Sequence, residues 1–193
     1  MTMAAYFQEL ALGFQNPVTA VAQVLGFIPM ILGFFVFRPV SRKASLAIKM
    51  GADFLSVWHF LLLGQPVGAV INFVNTFRGV CFSQKGKKKW ATGLFLPILF
   101  CALTMAGSFL TMKNWVGILP MVGSCLAVIG YWNTKTTHLR RYNAAGIFLW
   151  LLYGICVQSV STVLCNCVTL CSIGRTEWLL WRQNRKERKA VQE

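Results

Sequence analysis

The chain has 193 residues, of which 56% are hydrophobic and 12% are charged, and its formal net charge is +14. Soluble domains carry about 25% charged residues, so this composition excludes an ordinary soluble protein. The positive charge does not indicate nucleic acid as a partner, because the basic residues lie in short clusters between apolar segments, as they do in membrane proteins.

Seven apolar segments predict membrane spans, since a helix needs roughly 17–25 residues to cross a bilayer. Residues 1–17 contain Glu9 and no lysine or arginine, so they lack the basic start of a secretory signal and are predicted to lie along the membrane interface. The basic segment 176–193 is predicted to be a cytoplasmic tail, a frayed helix on the membrane surface. The predicted spans are residues 18–37, 46–63, 66–82, 90–110, 115–131, 142–157 and 159–172.

The basic residues between these spans predict an orientation, because positive charge collects on the cytoplasmic side of membrane proteins. If the N-terminus lies outside, only Lys113 is left on the outer side. We therefore expect a multi-pass protein with its N-terminus outside and its C-terminus in the cytoplasm. Besides those of the tail, the inner cations are Arg38, Arg42, Lys43, Lys49, Arg78, Lys85, Lys87, Lys88, Lys89, Lys135, Arg140, Arg141 and Arg175.

The segment 26–75 returns as 117–166, which indicates an internal repeat. Three helices end on the opposite side of the membrane from where they began, so two like-oriented copies need one crossing between them. The predicted fold is all-α, with seven transmembrane helices in two parallel three-helix repeats, 18–83 and 115–175, joined by a linker helix at 90–111. The matches are Gly26 with Gly117, Pro29 with Pro120, Met30 with Met121 and Asn75 with Asn166, each 91 positions apart, and Phe60 with Trp150 and Gly64 with Gly154, each 90 apart.

These residues also carry a family resemblance. Pro29, Pro120 and the matched asparagines resemble those of the SWEET and PQ-loop proteins, the MtN3-like superfamily. The chain resembles the YgjV-type bacterial inner-membrane proteins more closely, through segments 59–64, 68–69 and 75–78 and through Leu119, Pro120 and Gly123. The resemblance spans roughly residues 18–181, and it implies a location in the bacterial inner membrane and a SWEET-like 3+1+3 arrangement.

Two asparagines in the middle of apolar spans predict a binding site. A carboxamide in hydrocarbon is costly unless its donors and acceptor have partners, and the repeat would place Asn75 and Asn166 opposite each other across a central cavity. There they could bind a small neutral polar solute such as a sugar, with Phe60 and Trp150 as flat apolar walls. Resemblance to SWEETs implies that these are substrate-contacting positions. The alternative is that the amides only hold helices together. The predicted set is completed by Trp58, Tyr153 and Asn72, and the alternative for Asn72 is that it caps a helix contact.

Proline and ionisable residues add further hypotheses. Pro29 and Pro120 are predicted hinges on which each three-helix unit rocks, the alternative being a static bend. Asp53 and His59 fall within predicted spans, where ionisable groups usually mark a functional path, so either could carry a coupling proton or ion. Asp53 could instead pair with Lys49 one turn earlier, and we favour this ion pair. A lone histidine is more often a hydrogen-bonded core residue.

Asp53 is not expected in the symmetric site, because Ala144 or Ala145 stands at the matching place of the second copy. Cys165, Cys167 and Cys171 have the spacing of metal ligands but lack carboxylates and histidines nearby, so no metal is expected. The chain contains none of the familiar nucleotide-binding or catalytic motifs. We therefore expect neither a cofactor nor enzymatic activity.

Together these features predict a transporter that moves a small polar solute by alternating access around a site in the middle of the membrane. The competing hypothesis is a membrane scaffold or lipid-handling protein of the same fold that does not transport. A continuous polar cavity would favour the transporter, and a core filled with phenylalanine and leucine would favour the scaffold. The sequence leaves open whether copies of the chain form a homo-oligomer.

Overall fold

The computed structural model describes residues 15–36, 42–133 and 136–190, together with residues 8 and 11. Seven α-helices and two short 3-10 helices (Lys89–Ala91 and Trp115–Gly117) make up the regular structure of these residues, which include no strand. The all-helical prediction is confirmed. Most of the predicted interfacial segment 1–17, and the cations Arg38 and Lys135, lie outside the described residues. The helices are α1 (Pro17–Val36), α2 (Arg42–Leu62), α3 (Pro66–Ser83), α4 (Phe95–Thr111), α5 (Ile118–Trp132), α6 (Thr136–Cys156) and α7 (Val160–Ala190).

The helices differ in how well their composition suits hydrocarbon. Within the described residues, Trp115–Trp132 is the one helical segment that is both long and apolar enough to cross a membrane by itself, with a mean hydropathy of 1.6. Pro17–Leu32 and Phe95–Thr111 are apolar but shorter. The outer surface exposes many large apolar side chains, including Leu110 at 86% and Trp115 at 71%. Such a surface suits lipid chains better than water.

Six of the helices form a closed ring. Each contacts the next in the order α1, α2, α3, α5, α6, α7, and α7 returns to contact α1. The fourth helix, α4, contacts α3 and α5 and exposes Phe109 and Leu110, so it lies outside the ring. Phe82 of α3 and Phe100 of α4 stack edge to face with ring centroids 5.7 Å apart. In terms of the predicted three-helix repeats, the first helix of each repeat thus contacts the third helix of the other: α1 contacts α7, and α5 contacts α3.

The hairpins α2–α3 and α6–α7 turn with the same backbone motif. After α2, Gly64 adopts a positive φ of 67°, and Gln65 N–H donates to Phe60 O at 2.9 Å. This is a Schellman cap, whose left-handed residue is usually glycine. After α6, Gln158 occupies the same place with a φ of 55°, and the equivalent hydrogen bond is also 2.9 Å long. Each turn therefore fixes where the following helix begins.

These turns show that the two hairpins lie 94 positions apart. Leu62 and Cys156 end α2 and α6, and Pro66 and Val160 begin α3 and α7, so both pairs have this spacing. The sequence matches at 90 and 91 therefore differ from the folded repeat by three or four residues. This difference is about one helical turn of 3.6 residues.

The matches made from the sequence are consequently wrong for these two hairpins. Counted from the turns, Asn166 corresponds to Asn72 and not to Asn75, and Trp150 corresponds to Ser56 and not to Phe60. The physical reason is that α6 continues for one extra turn after the repeated motif before the chain reverses. A shift of one turn leaves a residue on nearly the same face of its helix, which is why the sequence pattern conceals it.

The last helix, α7, has 31 residues and runs without a break through the segment that was predicted to be a frayed surface helix. At 1.5 Å per residue it is about 46 Å long, which exceeds the ~30 Å thickness of the hydrocarbon layer. Near its middle, Glu177 forms an ion pair with Arg140 of α6. The basic end of the chain is therefore an extension of a ring helix.

Candidate functional site

The six ring helices surround a cavity of about 190 Å³. Every ring helix contributes side chains to its wall, and none of the described residues of α4 does. Many of the lining groups are polar, although the surrounding helices are mostly apolar. The polar lining residues are Lys49, Asp53, Ser56, His59, Asn72, Asn75, Arg78, Ser124, Tyr131, Asn143, Ser161, Thr162, Asn166 and Thr169.

Most of the predicted site residues converge on this cavity. Its wall includes eight of them, Asn72, Asn75, Asn166, Phe60, Trp150, Pro29, Asp53 and His59. Trp58 does not line it, because it lies two residues before Phe60 on the opposite face of α2, where it is 51% exposed. Tyr153 does not line it either and is 1% exposed. It lies behind the wall, with ring centroids 5.8 Å from Phe60 and 5.7 Å from Trp150.

More of the wall fits the spacing of 94 than that of 91, although pairs such as Asn75 with Asn166 line the wall at 91. On α1 and α5 the lining pairs are Pro29 with Met30 and Gly123 with Ser124, and Pro120 is buried outside the wall. Pro29 and Pro120 therefore do not occupy equivalent places in the cavity wall. On α2 and α6 the pairs 94 apart are Lys49 with Asn143, Ala52 with Gly146, Asp53 with Ile147 and Ser56 with Trp150.

This spacing also corrects the expectation for Asp53. The residue at the matching place is Ile147, not Ala144 or Ala145, and it lines the cavity as Asp53 does. Asp53 and Ile147 thus occupy equivalent places in the cavity wall. Its carboxylate forms an ion pair with Lys49, one turn earlier on α2, as favoured from the sequence.

A polar stripe on α3 holds two of the three unpartnered polar atoms in the described cavity wall, and the third is Ser161 Oγ on α7. Asn72, Asn75 and Arg78 follow one another at intervals of three and share a face of the helix. Asn72 Nδ2 donates to the carbonyl of Gly68 at 2.8 Å. Asn75 is 7% exposed and its Oδ1 has no hydrogen-bond partner, and Arg78 is 5% exposed with an equally unpartnered Nη1. Buried polar atoms without partners are rare, so these two atoms mark the polar stripe as the candidate binding surface of the cavity wall.

The indole of Trp150 is fixed in the opposite wall. Its Nε1 donates to Ser124 Oγ at 3.1 Å. The closeness of the two helices makes this possible, because a Cβ atom on Gly123 would lie 2.8 Å from the carbonyl oxygen of Gly146. The aromatic wall is therefore held by its own polar contact and by glycine packing.

One end of the cavity is closed by hydrogen bonds that join α1 and α2 to each other and to the turn between α6 and α7. His59 Nδ1 lies 2.7 Å from the carbonyl oxygen of Ala22, which can only accept, so this nitrogen carries a proton. His59 Nε2 lies 2.8 Å from Ser159 Oγ, in the turn between α6 and α7. Gln23 of α1 donates from Nε2 to the carbonyl of Gln158 at 2.8 Å. We call Gln23, His59, Gln158 and Ser159 the polar latch.

The other end of the cavity is more open. The side chain of Lys49 is 37% exposed, whereas Gln23 and His59 in the polar latch are 1% and 2% exposed. The Lys49 end is therefore the more accessible end of the cavity, and the end at the polar latch is the more deeply buried one.

Sequence reasoning missed several residues of the site, above all Arg78. It was counted among the inner-loop cations, although its position three residues after Asn75 would have placed it on the polar stripe. Lys49 and Asn143 were missed as lining residues in the same way, because helix ends rich in cations are assigned to loops. Within the described part of the chain, no three histidine, cysteine or acidic side chains are grouped to hold a metal ion.

Comparison with known proteins gives one match. A family described as bacterial inner membrane protein, Imp-YgjV, matches residues 20–184. No curated protein and no solved structure matches the chain.

Proposed function

The chain belongs to the Imp-YgjV family of bacterial inner membrane proteins, and from this premise we propose that it carries a small polar solute across that membrane by alternating access. The observation that carries the proposal is the polar cavity, which is closed at the polar latch and accessible at the Lys49 end. Polar groups inside a membrane protein are costly and usually mark a solute path.

The proposed topology has seven membrane spans, with the N-terminus outside and the C-terminus in the cytoplasm, as the distribution of cations indicates. In this topology α2 runs outward, so Lys49 lies near the cytoplasm and His59 near the outer side. The cavity then faces the cytoplasm, and the polar latch is the outer gate.

We assign the six ring helices to two parallel units, α1–α3 and α5–α7, with α4 as the linker span and kinship to the SWEET and PQ-loop proteins. Support comes from the reciprocal contacts of α1 with α7 and of α3 with α5, and from the common spacing of 94. Rocking of one unit against the other would open the polar latch and close the Lys49 end. Pro29 lines the cavity and is the better hinge candidate of the two prolines. The ring is complete in one chain, so the mechanism needs no second copy, cofactor or catalytic step.

The test is uptake into vesicles that contain the purified protein. We expect at least one labelled solute from a panel of sugars, polyols, amino acids and organic acids to enter faster than into protein-free vesicles. A cavity-filling variant, Ala127→Phe, should abolish this uptake, since Ala127 lines the cavity. Ala145→Phe is the matched control, because Ala145 is exposed on α6. Uptake no faster than in protein-free vesicles for every solute, or equal uptake by both variants, would overturn the proposal.

A further inference from the structure

The geometry of Arg78 points to the charge of the solute. Building on the transport function proposed above, we infer that the solute is a small carboxylate with a hydroxyl group, and that Arg78 binds its carboxylate. This differs from the neutral solute expected from the sequence. It assigns to Arg78 a role in binding, whereas the sequence analysis counted this residue only among the cations that indicate the orientation of the chain in the membrane.

Among the described residues, Arg78 is a buried cation that forms no ion pair. Its side chain is 5% exposed, so it does not extend to the lipid headgroups or to bulk water. The ion pairs among the described residues are Lys49 with Asp53 and Arg140 with Glu177. Asp53 attracts Arg78 electrostatically, but its ion pair is with Lys49. A buried charge that lacks a partner is strongly unfavourable, so binding of an anion beside Arg78 would be favourable.

The charge of the cavity wall leads to the same conclusion. The described lining residues include two cations, Lys49 and Arg78, and one carboxylate, Asp53. The wall contributed by α5–α7 adds no charged side chain among the described residues. A solute with one negative charge would make the occupied cavity neutral, whereas a neutral solute would leave Arg78 uncompensated.

The orientation of the guanidinium suits a carboxylate. Its carbon atom lies 5.3 Å from the ring centroid of Tyr131, in a cation–π contact. This contact positions the guanidinium beside Tyr131, and its Nη1 has no hydrogen-bond partner. Guanidinium edges match carboxylates with two parallel hydrogen bonds.

The neighbouring unpaired atom defines the second feature of the solute. Asn75 Oδ1 has no hydrogen-bond partner and lies one turn before Arg78 on the same face of α3. A carbonyl oxygen can only accept, so it requires a donor such as a hydroxyl group. The cavity volume of about 190 Å³ is below the ~300–1,000 Å³ typical of sites for drug-sized ligands. The site therefore fits a short hydroxy acid.

The experiment compares glycerate with glycerol, which share a three-carbon hydroxylated skeleton and differ in the carboxylate. In vesicles, the wild-type protein should take up glycerate faster than glycerol. Arg78→Gln should lower glycerate uptake by roughly 30-fold or more, the cost of truncating one partner of a buried charge pair. Arg78→Lys should retain a small part of it, because it keeps the charge and loses the paired hydrogen bonds. Arg182→Gln is the control, since Arg182 makes a similar cation–π contact with Trp178 on the exposed surface.

Thermal unfolding separates this inference from the transport function. Glycerate should raise the Tm of the wild-type protein and not that of Arg78→Gln, whether or not it is transported. Without solute, Arg78→Gln should have the higher Tm, because it removes an unpaired buried charge; a lower Tm would indicate a structural role. If glycerol is taken up and glycerate is not, the inference fails and the transport function stands. If no solute is taken up but glycerate stabilises only proteins with Arg78, transport fails and the anion site stands.

A second source of the anion is a phospholipid headgroup. The amount of phospholipid phosphate that copurifies with wild-type protein and with Arg78→Gln decides between the sources. Equal amounts are expected if the site takes the soluble carboxylate. A loss of bound lipid in Arg78→Gln, without any stabilisation of the wild type by glycerate, would assign the site to lipid and overturn the inference.

Discussion

The two halves of the ring build the same wall with different chemistry. Where α2 has Lys49 and Asp53, α6 has Asn143 and Ile147, each 94 positions later. All the charged lining residues that the structure describes belong to α2 and α3. The second half folds into the same hairpin without charged residues in the cavity wall, so the hairpin does not require charges at these places. The charges in the wall of the first half are therefore the ones on which the proposed solute site depends.

The halves also differ in how closely their helices approach. Gly123 and Gly146 bring the backbones of α5 and α6 together, since a Cβ atom on Gly146 would lie 2.5 Å from the carbonyl oxygen of Gly123. The matching positions in the first half are Pro29 and Ala52, which both carry a Cβ atom. The wall of α5–α7 is thus neutral and held by a close backbone contact, which the charged wall of α1–α3 lacks at the matching positions.

The largest effect is expected from disrupting the contact between Gly123 and Gly146, which the first half lacks. Gly146→Ala should lower the free energy of unfolding by about 1–3 kcal/mol, the usual cost of overpacking, because the atoms in the way belong to the backbone of α5. Gly51→Ala on α2 is the matched control. A Cβ atom there meets nothing within 4 Å, so helix propensity alone should stabilise the protein by roughly 0.5–1 kcal/mol. Unfolding in detergent micelles measures both, and equal effects would refute the difference in packing.

The polar latch gives the next largest effect, a change in which side of the membrane reaches the cavity. Cys165 lines the cavity and can be labelled by a thiol reagent that does not cross the membrane, once the other cysteines are replaced by alanine. We expect labelling from the cytoplasmic side only. Gln23→Leu removes the contacts to Gln158 and Val160 and should allow labelling from the outer side as well.

The control for the polar latch is Val24→Leu, because Val24 is 66% exposed on the outer face of α1. It should leave the labelling one-sided. Outer labelling of the otherwise unchanged protein would show that the latch does not close that end. Outer labelling in both variants would mean that any change in α1, and not loss of the hydrogen bonds, opens it.

The sequence predicted the fold and the faces of the helices better than the pairing of residues. Asn75, Asn166, Phe60 and Trp150 were expected to face one cavity, and they line it. Their pairing was wrong by one turn, and the helical period explains both outcomes. A shift of three or four residues leaves a residue on the same face of its helix but moves it by about one turn along the helix axis. Only the turns at Gly64 and Gln158 set the depth, and a glutamine with positive φ has no clear signal in a sequence.

Other features could not be predicted because they depend on contacts between distant parts of the chain. The polar latch joins Gln23 to Gln158, which are 135 positions apart, and hydropathy contains no information about such a pair. Trp58 is a different case, since its spacing of two from Phe60 already placed it on another face of α2. Arg78 was missed because an arginine near the end of a span fits the charge rule for inner loops equally well.

The smallest effect is expected from the ion pair between Arg140 and Glu177, in which the side chains are 24% and 39% exposed. Exposed ion pairs contribute about 0–1 kcal/mol, so Glu177→Gln should change the free energy of unfolding within that range. The change should fade as salt is added, because exposed charges are screened, and solute uptake should be unaffected. Asp53→Asn is the comparison, since its carboxylate is 7% exposed and faces two cations. Asp53→Asn should lower the free energy of unfolding more than Glu177→Gln does, and this change should depend less on salt. The opposite ranking would show that the cavity charges interact no more strongly than those on the surface.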